Sequence, residues 1–529
     1  MPESKTDTDT DLNSFFEVAR LPKIAEGSAG ALSKAETDQQ VRGLNMVKVF
    51  SDTVETVNGE ADSDDVNVQK IIQDKIDELD REIAGGLNDL LHNPALQKLE
   101  ATWRGLQYLV FNTETSTRLK LRVLDVTEKE LRDDLEKAVE FDQSALFKKV
   151  YEEEYGTLGG KPYGCLVGDF SFNRSAPSIS FVKKLAAVAS AAHAPLIAAA
   201  HPSLFDLQSF EDLPKPRDLA KIFESSDMAE WSAFRESEDS RYVTLTLPRV
   251  LMRLPYDPVN NPVEGLNFKE EVGTRKTPDG TVFDPTAAPN PDMPVEEARL
   301  SLEPSADKYL WGNPAYVLAQ RVTNAFAMFS WTAAIRGVEG GGKVENLPLH
   351  RFKSVHGDKA MIIPTEVAIT DRREKELSDQ GFISLVYCKD TNYAAFFGSQ
   401  TVNKPKKYNL ASANSNAELS ARLPYILNTS RFAHYIKVMM RNRIGSFMTK
   451  ENVQAYLTTW ISDYVLDKDD AGQDLKAKYP LREARIDVVD VPGQPGAYSA
   501  TVFLRPHFQL EGLSASLRLV AELPAPVAA

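Results

Sequence analysis

The stretch that decides the fold is residues 163–200, YGCLVGDFSFNRSAPSISFVKKLAAVASAAHAPLIAAA. Its two ends, residues 163–170 (YGCLVGDF) and 195–200 (PLIAAA), are short apolar runs of the kind that form buried strands. The Ala-rich run at residues 181–192 between them has the length and composition of a helix. This order predicts a β-α-β unit, which favours a parallel or mixed sheet covered by helices.

Upstream of this unit, residues 119–126 alternate between apolar and polar side chains and predict a strand. Thr127, followed by Glu130, forms a capping box that starts the next helix. Still earlier, apolar residues recur at three- and four-residue steps through residues 66–91 and 94–111. These two segments predict amphipathic helices that pack as a helical hairpin.

Downstream, residues 256–307 are rich in Pro, Asp, Glu, Thr and Asn and predict a long surface loop. Residues 419–447 and 450–465 have the pattern of helices. Three strand-like segments close the chain, and a PGQPG sequence joins the first two as a hairpin; they are residues 484–491, 497–504 and 513–523.

The chain has 529 residues and a mass of 58.7 kDa, which is more than one small core requires. We expect a multi-domain protein of mixed α/β class. Residues 1–65 are predicted to be a flexible arm, because they are polar with two short apolar islands. Residues 66–385 are predicted to hold the helical hairpin and the α/β core, and residues 386–529 a C-terminal region ending in the strands of residues 484–523.

Charge and composition exclude several functional classes. The net charge of −15 and the pI near 5.2 argue against nucleic-acid binding and against an anionic membrane surface. Cys165 and Cys388 form no CxxC pair, so a reduced compartment is expected. The acidic start of the chain does not read as a secretory signal, and the apolar run at 325–335 is about half the roughly 20 residues that a span needs. We therefore expect a cytoplasmic protein without direct membrane insertion.

Two segments come close to ligand-binding motifs. Residues 337–344 (GVEGGGKV) match the phosphate-binding loop GxxxxGK[ST] except at Val344, and a helical pattern precedes them where that loop needs a strand. We interpret them as a Gly-rich helix terminus and turn. Residues 467–478 resemble a calcium loop, but Lys478 stands where the bidentate Glu is required. A solvated acidic loop is the better interpretation.

No other local pattern points to chemistry. The seven histidines include no HExxH, and the sequence has no GxSxG elbow and no GxGxxG after the first strand of the β-α-β unit. We assign no catalytic, cofactor-binding or metal-binding residue. A cytoplasmic enzyme, such as a hydrolase built on the α/β core, remains an alternative that would need a convergent nucleophile, base and oxyanion site.

Several long strings resemble one family, the large subunit of the type VI secretion contractile sheath (TssC/VipB). They include LEATWRGLQYLV, FDQSALFKKVYEEEYGTLGGKPYG, LPKPRDLAKIFES, FRESEDSRYVTLTLPRVLMRLPY, KYLWGNPAYVLA, RGVEGGGKVENLP and RFAHYIKVMMRNRIGSF, at residues 99–110, 141–164, 213–225, 234–256, 308–319, 336–348 and 431–447. The resemblance runs from about residue 66 to the last strands. The loop at about residues 271–304 looks longer than the family usually carries, and the N-terminal arm matches loosely.

The resemblance implies a contractile-tail-sheath-like fold and a mechanical, non-enzymatic role without a cofactor. The partners that it implies are a small sheath subunit (TssB/VipA-like), further copies in a helical polymer, Hcp-like inner-tube rings and a baseplate on an envelope complex. A ClpV-like AAA+ ATPase would dismantle the contracted sheath, acting mainly through the small subunit. The alternative is a phage-tail-like sheath or scaffold protein that works without a small partner.

The C-terminal strands are the expected assembly surface. A short hairpin at residues 484–504 leaves backbone donors and acceptors open along its edges, so that neighbouring subunits can complete the sheet by strand addition. The residues predicted to form these assembly strands are Ile486, Val488, Val489, Val502 and Leu504.

Overall fold

The computed structural model describes residues 68–277, 282, 300–354, 359–446, 448–468, 470–492, 497–507 and 509. Its contacts divide the chain into two units, residues 1–83 and 84–529. The predicted arm, most of the loop at residues 271–304 and the predicted strand at residues 513–523 lie outside the described residues. The predicted boundary at residues 385/386 stays a prediction.

The helices are numbered in chain order. They are α1 (Val68–Leu91), α2 (Pro94–Phe111), α3 (Glu128–Lys137), α4 (Ala145–Phe147), which continues as a π-helix (Lys148–Tyr155), α5 (Ala176–Ala192), α6 (Ala220–Phe223), α7 (Ala229–Arg235), α8 (Ala315–Phe329), α9 (Asp371–Asp379), α10 (Ala411–Leu419), α11 (Leu423–Arg441), α12 (Lys450–Ser462) and α13 (Gln473–Lys478).

The strands are β1 (Leu166–Phe172), β2 (Leu196–Ala200), β3 (Val243–Leu247), β4 (Val250–Leu251), β5 (Gly273–Lys276), β6 (Ser301–Pro304), β7 (Trp311–Gly312), β8 (Lys343–Glu345), β9 (His350–Lys353), β10 (Lys359–Ile362), β11 (Phe382–Tyr387), β12 (Tyr393–Phe396), β13 (Leu481–Asp490) and β14 (Tyr498–Pro506). Among the described residues, a six-stranded sheet has the order β1-β2-β3-β11-β12-β8, and four further sheets have two strands each.

The central sheet confirms the predicted β-α-β unit. Strand β1 pairs in parallel with β2, and β2 pairs in parallel with β3. Strand β11 is parallel to β3, whereas β12 and β8 are antiparallel, so the sheet is mixed. Helix α5 packs on one face and α8 on the other, because alternate residues of the buried strands enter two separate core clusters.

One local prediction is wrong, and one helix has shifted ends. Residues 119–126 form no strand in the structure, because no described strand lies beside them to accept their backbone hydrogen bonds. The helix predicted at residues 419–447 corresponds to α11, which begins four residues later and ends at Arg441, and α10 precedes it. Helix α11 has Pro424 in its first turn, where a proline starts a helix but cannot continue one from the preceding turn.

The Gly-rich turn at residues 337–342 fastens the antiparallel edge of the central sheet. Gly337 N donates to Phe396 O at 2.7 Å, and Phe396 N donates to Gly342 O at 3.0 Å. At Gly341 φ is +92°, and a Cβ there would collide with the carbonyl oxygen of Ala334. These groups serve the fold and form no phosphate cradle. The preceding helix α8 ends earlier than the motif suggested, at Phe329.

A buried ion-pair cluster ties α2 to the segment after β4. The side chains of Arg253 and Glu270 are 6% and 2% exposed and form two hydrogen bonds, at 2.5 and 3.1 Å. Arg253 Nε also donates to Glu100 Oε1 at 2.8 Å. Burial acts to raise the pKa of Glu270, but hydrogen bonds from His92 and Arg253 outweigh it and lower that pKa.

We expect Glu270→Gln to lower the free energy of unfolding by about 3 kcal/mol, because it leaves a buried guanidinium with only one of its two carboxylate partners, Glu100. The matched control is Asp379→Asn in the exposed Lys375–Asp379 pair, which should cost less than about 1 kcal/mol. Chemical unfolding of the purified chain measures both. Equal effects of the two variants would contradict the prediction.

The contribution of the Arg253–Glu270 pair to stability depends on pH. The folded-state pKa of Glu270 is lowered, so its stabilising contribution is present above the unfolded value of about 4.3 and is lost as the pH falls further. The difference in stability between the wild-type chain and Glu270→Gln should therefore shrink below about pH 4, in unfolding curves recorded from pH 7 downward.

Candidate assembly interface

The C-terminal hairpin is the longest strand pairing in the described chain. Strands β13 and β14 pair in antiparallel register from Leu481↔Pro506 to Asp490↔Tyr498, with one irregularity between Leu481 and Glu483. The hairpin includes every residue that the sequence assigned to assembly strands. All five of those residues are brought together on one two-stranded sheet.

The inner face of the hairpin is buried in its own subunit. Ile486 is 1% exposed and Val488 3%, and Val502 and Leu504 pack beside them. They meet an aromatic cluster that the sequence analysis missed: Trp331, Phe432, Trp460 and Tyr464, with Trp331 stacked on Phe432 at 4.4 Å between ring centroids. The four-residue spacing of Tyr456, Trp460 and Tyr464 was the signal available in the sequence.

The outer face is open. Val489, the fifth predicted assembly residue, is 51% exposed, and Phe503 on the facing strand is 49% exposed. The Arg485 guanidinium lies over the Phe503 ring at 4.6 Å from its centroid and pairs with Asp487 at 2.9 Å. The five predicted residues therefore divide: four point into the subunit and one points out.

Within the described part of the chain, several backbone groups at the hairpin edges make no ladder hydrogen bond. Val491 N donates to Ala497 O at 3.0 Å, which makes this a hydrogen-bonded pair. Because bonded and non-bonded pairs alternate in an antiparallel ladder, the register makes Val488↔Ala500 a non-bonded pair, and so on at every second position. The N–H and C=O groups of these residues point away from the hairpin. No third strand pairs with it within the described part of the chain.

The two edges differ in what lies beside them. At the start of β13, Leu466 N donates to Leu481 O at 2.9 Å and Leu481 N donates to Tyr464 O at 3.3 Å, so that end is occupied. A groove of about 980 Å³ lies between the hairpin and helix α10, lined by residues 502–506 of β14 and by Ser415, Asn416 and Leu419. It leaves room for an added segment.

Helix α11 connects the hairpin to the α/β core. Its Phe432 belongs to the aromatic cluster, while His434 Nε2 lies 3.0 Å from the carbonyl oxygen of Ala192, at the end of α5. Arg441 donates to the carbonyl oxygens of Tyr155 and Thr157 at 2.6 and 2.7 Å. Burial lowers the pKa of His434 to about 4, so it is neutral at physiological pH.

The described residues carry little that could support chemistry. They include no group of three or more His, Cys, Asp or Glu side chains able to hold a metal ion. Burial raises the pKa of Cys165 to about 12 and also raises that of Cys388, so neither thiol is activated. No described helix has both the length and the apolar character to cross a membrane. The open-edged hairpin is therefore the candidate site among the described residues.

Comparison with known proteins identifies the class. Residues 73–403 match the tail sheath N-terminal domain of the VipB family (EvpB/VC_A0108), and residues 412–523 match the tail sheath gpW/gp25-like domain of that family. The chain belongs to the VipB tail sheath family and is a structural subunit of a contractile sheath. The predicted resemblance is confirmed.

Individual proteins and solved structures are similar to this chain. The chain is 45% identical to the type VI secretion system sheath protein TssC1 of Pseudomonas aeruginosa over 459 residues, which is 86% of each chain. It is also similar to a chain of the anti-feeding prophage baseplate (11% identity, 65% of this chain and 66% of that one, TM-score 0.33). A third match is the contracted PVC sheath complex of an extracellular contractile injection system (10% identity, 64% and 68%, TM-score 0.33).

The two faces of the hairpin predict opposite responses to a charge. Val488→Asp buries a carboxylate in the aromatic cluster and should lower the free energy of unfolding by at least about 3 kcal/mol. Val489→Asp, one residue further on the outer face, should change it by less than about 0.5 kcal/mol. Chemical unfolding of the two variants tests the register directly, and similar losses in both would mean that the assigned faces are wrong.

Proposed function

We propose that this chain is the large subunit of a type VI secretion sheath, which pairs with a small sheath subunit and polymerises into a helical tube around an inner tube. The observation that carries the proposal is the similarity to TssC1 along 86% of both chains. The match to TssC1 does not favour the alternative of a sheath or scaffold that works without a small partner. The chain acts mechanically and catalyses no reaction.

We propose that the open hairpin holds neighbouring subunits together by strand addition. Each added backbone hydrogen bond contributes about 0.5–1.5 kcal/mol net, and roughly half a dozen along one strand would hold two subunits while their bulkier parts move. Head-to-tail contacts of this kind do not close on themselves and produce open helices. The extended tube is then metastable, and contraction forms new contacts between layers.

The remaining partners follow from the same family. The inner tube consists of Hcp-like hexameric rings, and the sheath stands on a baseplate joined to the cell envelope, within the bacterial cytoplasm. A ClpV-like AAA+ ATPase dismantles the contracted tube, mainly through the small subunit. The net charge of −15 disfavours nucleic acid as a partner.

Electron microscopy tests the need for a partner. The chain expressed alone should yield no long tubes, whereas co-expression with the small sheath protein of its own cell should yield hollow tubes. Tubes from the chain alone would support the partner-free alternative. Discrete particles in both samples would contradict the sheath function.

One proline substitution tests strand addition at the hairpin edge separately from folding of the subunit. Ala500→Pro removes one outward N–H from the β14 edge, at an exposed position whose N–H makes no bond within the hairpin. It should strongly reduce tube yield in the co-expressed sample while the melting temperature changes little. Ala500→Val keeps the N–H and serves as the matched control, with tubes as in the wild type. Normal tube yield from Ala500→Pro would refute addition at this edge.

A further inference from the structure

A second cavity lies apart from the hairpin groove. Its volume is about 510 Å³, within the range of roughly 300–1,000 Å³ that is typical of binding sites. Residues 117–122 and 160–165 form two of its walls, and the end of α8 and one side of α11 form the others. Its lining includes the apolar side chains of Leu109, Val322, Phe326, Trp331 and Leu427.

The polar side chains around this cavity are strongly biased toward positive charge. Its lining includes Arg118, Lys120, Arg122, Lys161 and Arg431, and none of the described residues that line it is acidic. This concentration of cations stands out in a chain with a net charge of −15. A cavity with an apolar interior and cationic side chains favours a ligand that combines apolar groups with carboxylates.

Most of these cations lack a carboxylate within the described residues. Arg122 pairs with Glu154, which also accepts a hydrogen bond from Lys161 N at 2.7 Å, but no ion pair is formed by Lys120 or Arg431 among the described residues. Lys161 lowers the pKa of Lys120, by a side-chain hydrogen bond and by like-charge repulsion. The Nε atom of Arg431 is buried and has no hydrogen-bond partner among the described residues. An anionic partner would reduce the repulsion between Lys120 and Lys161 and give the Arg431 Nε atom a hydrogen-bond acceptor.

One wall also offers backbone groups. Among the described residues, no backbone hydrogen bond is made by residues 120–126, although their side chains alternate as in a strand. Val123 on this segment is 67% exposed. The segment therefore has the pattern of a strand and the free N–H and C=O groups that an extended peptide could pair with.

The chain itself contains a segment of matching chemistry. Residues 7–21 (DTDTDLNSFFEVARL) carry four carboxylates against one cation, a net charge of −3, and include Leu12, Phe15 and Phe16. The second apolar island of the arm, residues 41–50 (VRGLNMVKVF), carries two cations and no carboxylate. The cationic cavity would attract the acidic segment at residues 7–21 and repel the cationic segment at residues 41–50.

We propose that the cavity binds residues 7–21 of a neighbouring copy, with the aromatic side chains inside it and the Asp residues against Lys120 and Lys161. The arm then links subunits independently of the C-terminal hairpin. The proposal rests on the sheath function only in requiring that a neighbouring copy lies within reach.

Photo-cross-linking in the full chain tests this contact. A photoreactive phenylalanine analogue replaces Phe16, and the chain is co-expressed with the small sheath protein and irradiated. The expected product is a covalent dimer of about twice 58.7 kDa, whose linked peptides come from residues 117–122 or 160–165. The analogue placed instead at Phe50, in the cationic island, is the matched control and should not link to these peptides.

Charge variants separate specific binding from proximity. Lys120→Glu combined with Lys161→Glu should lower the yield of the dimer about fivefold or more, and adding Asp9→Lys and Asp11→Lys should restore it. Lys137→Glu reverses an exposed cation of α3 and should leave the yield unchanged.

Several results would overturn the proposal: cross-links confined to one copy, cross-links to the small subunit, or dimers linked outside the cavity. Micrographs of the same samples report polymerisation separately. If tubes form but the covalent dimer does not, only the arm contact is refuted. If no tubes form, the result counts against the sheath function. The absence of the dimer refutes the arm contact in either case.

Discussion

The stacking of Trp331 on Phe432, at 4.4 Å between ring centroids, is the contact on which the arrangement of the subunit depends. Trp331 follows α8, which covers one face of the central sheet, and Phe432 lies on α11. Both rings belong to the cluster that buries Ile486 and Val488 of the hairpin. Because this cluster is closely packed, it fixes the position of the hairpin relative to α8 and α11.

In the hairpin, the inner side chains and the edge backbone groups face different surroundings. Its inner side chains are used within the subunit, where apolar burial fixes their position. The backbone groups of the same residues point outward from the edges, where no third strand pairs with them among the described residues. A non-bonded pair such as Ile486↔Val502 therefore packs its side chains in the core while its amides face outward. A substitution can therefore alter the edge of the hairpin without altering its buried face.

Short motifs and periodicity predicted local structure correctly only where the tertiary neighbours of a segment favoured the same structure. The β-α-β unit at residues 163–200 was predictable because its second strand is buried on both faces and its helix is apolar. The alternation at residues 119–126 predicted a strand that the structure lacks, since a strand exists only where a neighbour pairs with it. The turn at residues 337–342 resembled a phosphate loop, yet its amides bond to Phe396 and to each other.

The sequence by itself determined the mixed α/β class, the terminal hairpin, the lack of familiar catalytic motifs and, through long matching strings, the sheath family. These are properties of composition, period and local spacing. Only the tertiary structure decided that Val488 faces inward and Val489 outward, that Trp331 meets Phe432, and that cations from distant segments surround one cavity. Side chains far apart along the chain meet only when the packing is complete, and no local pattern encodes which of them will do so.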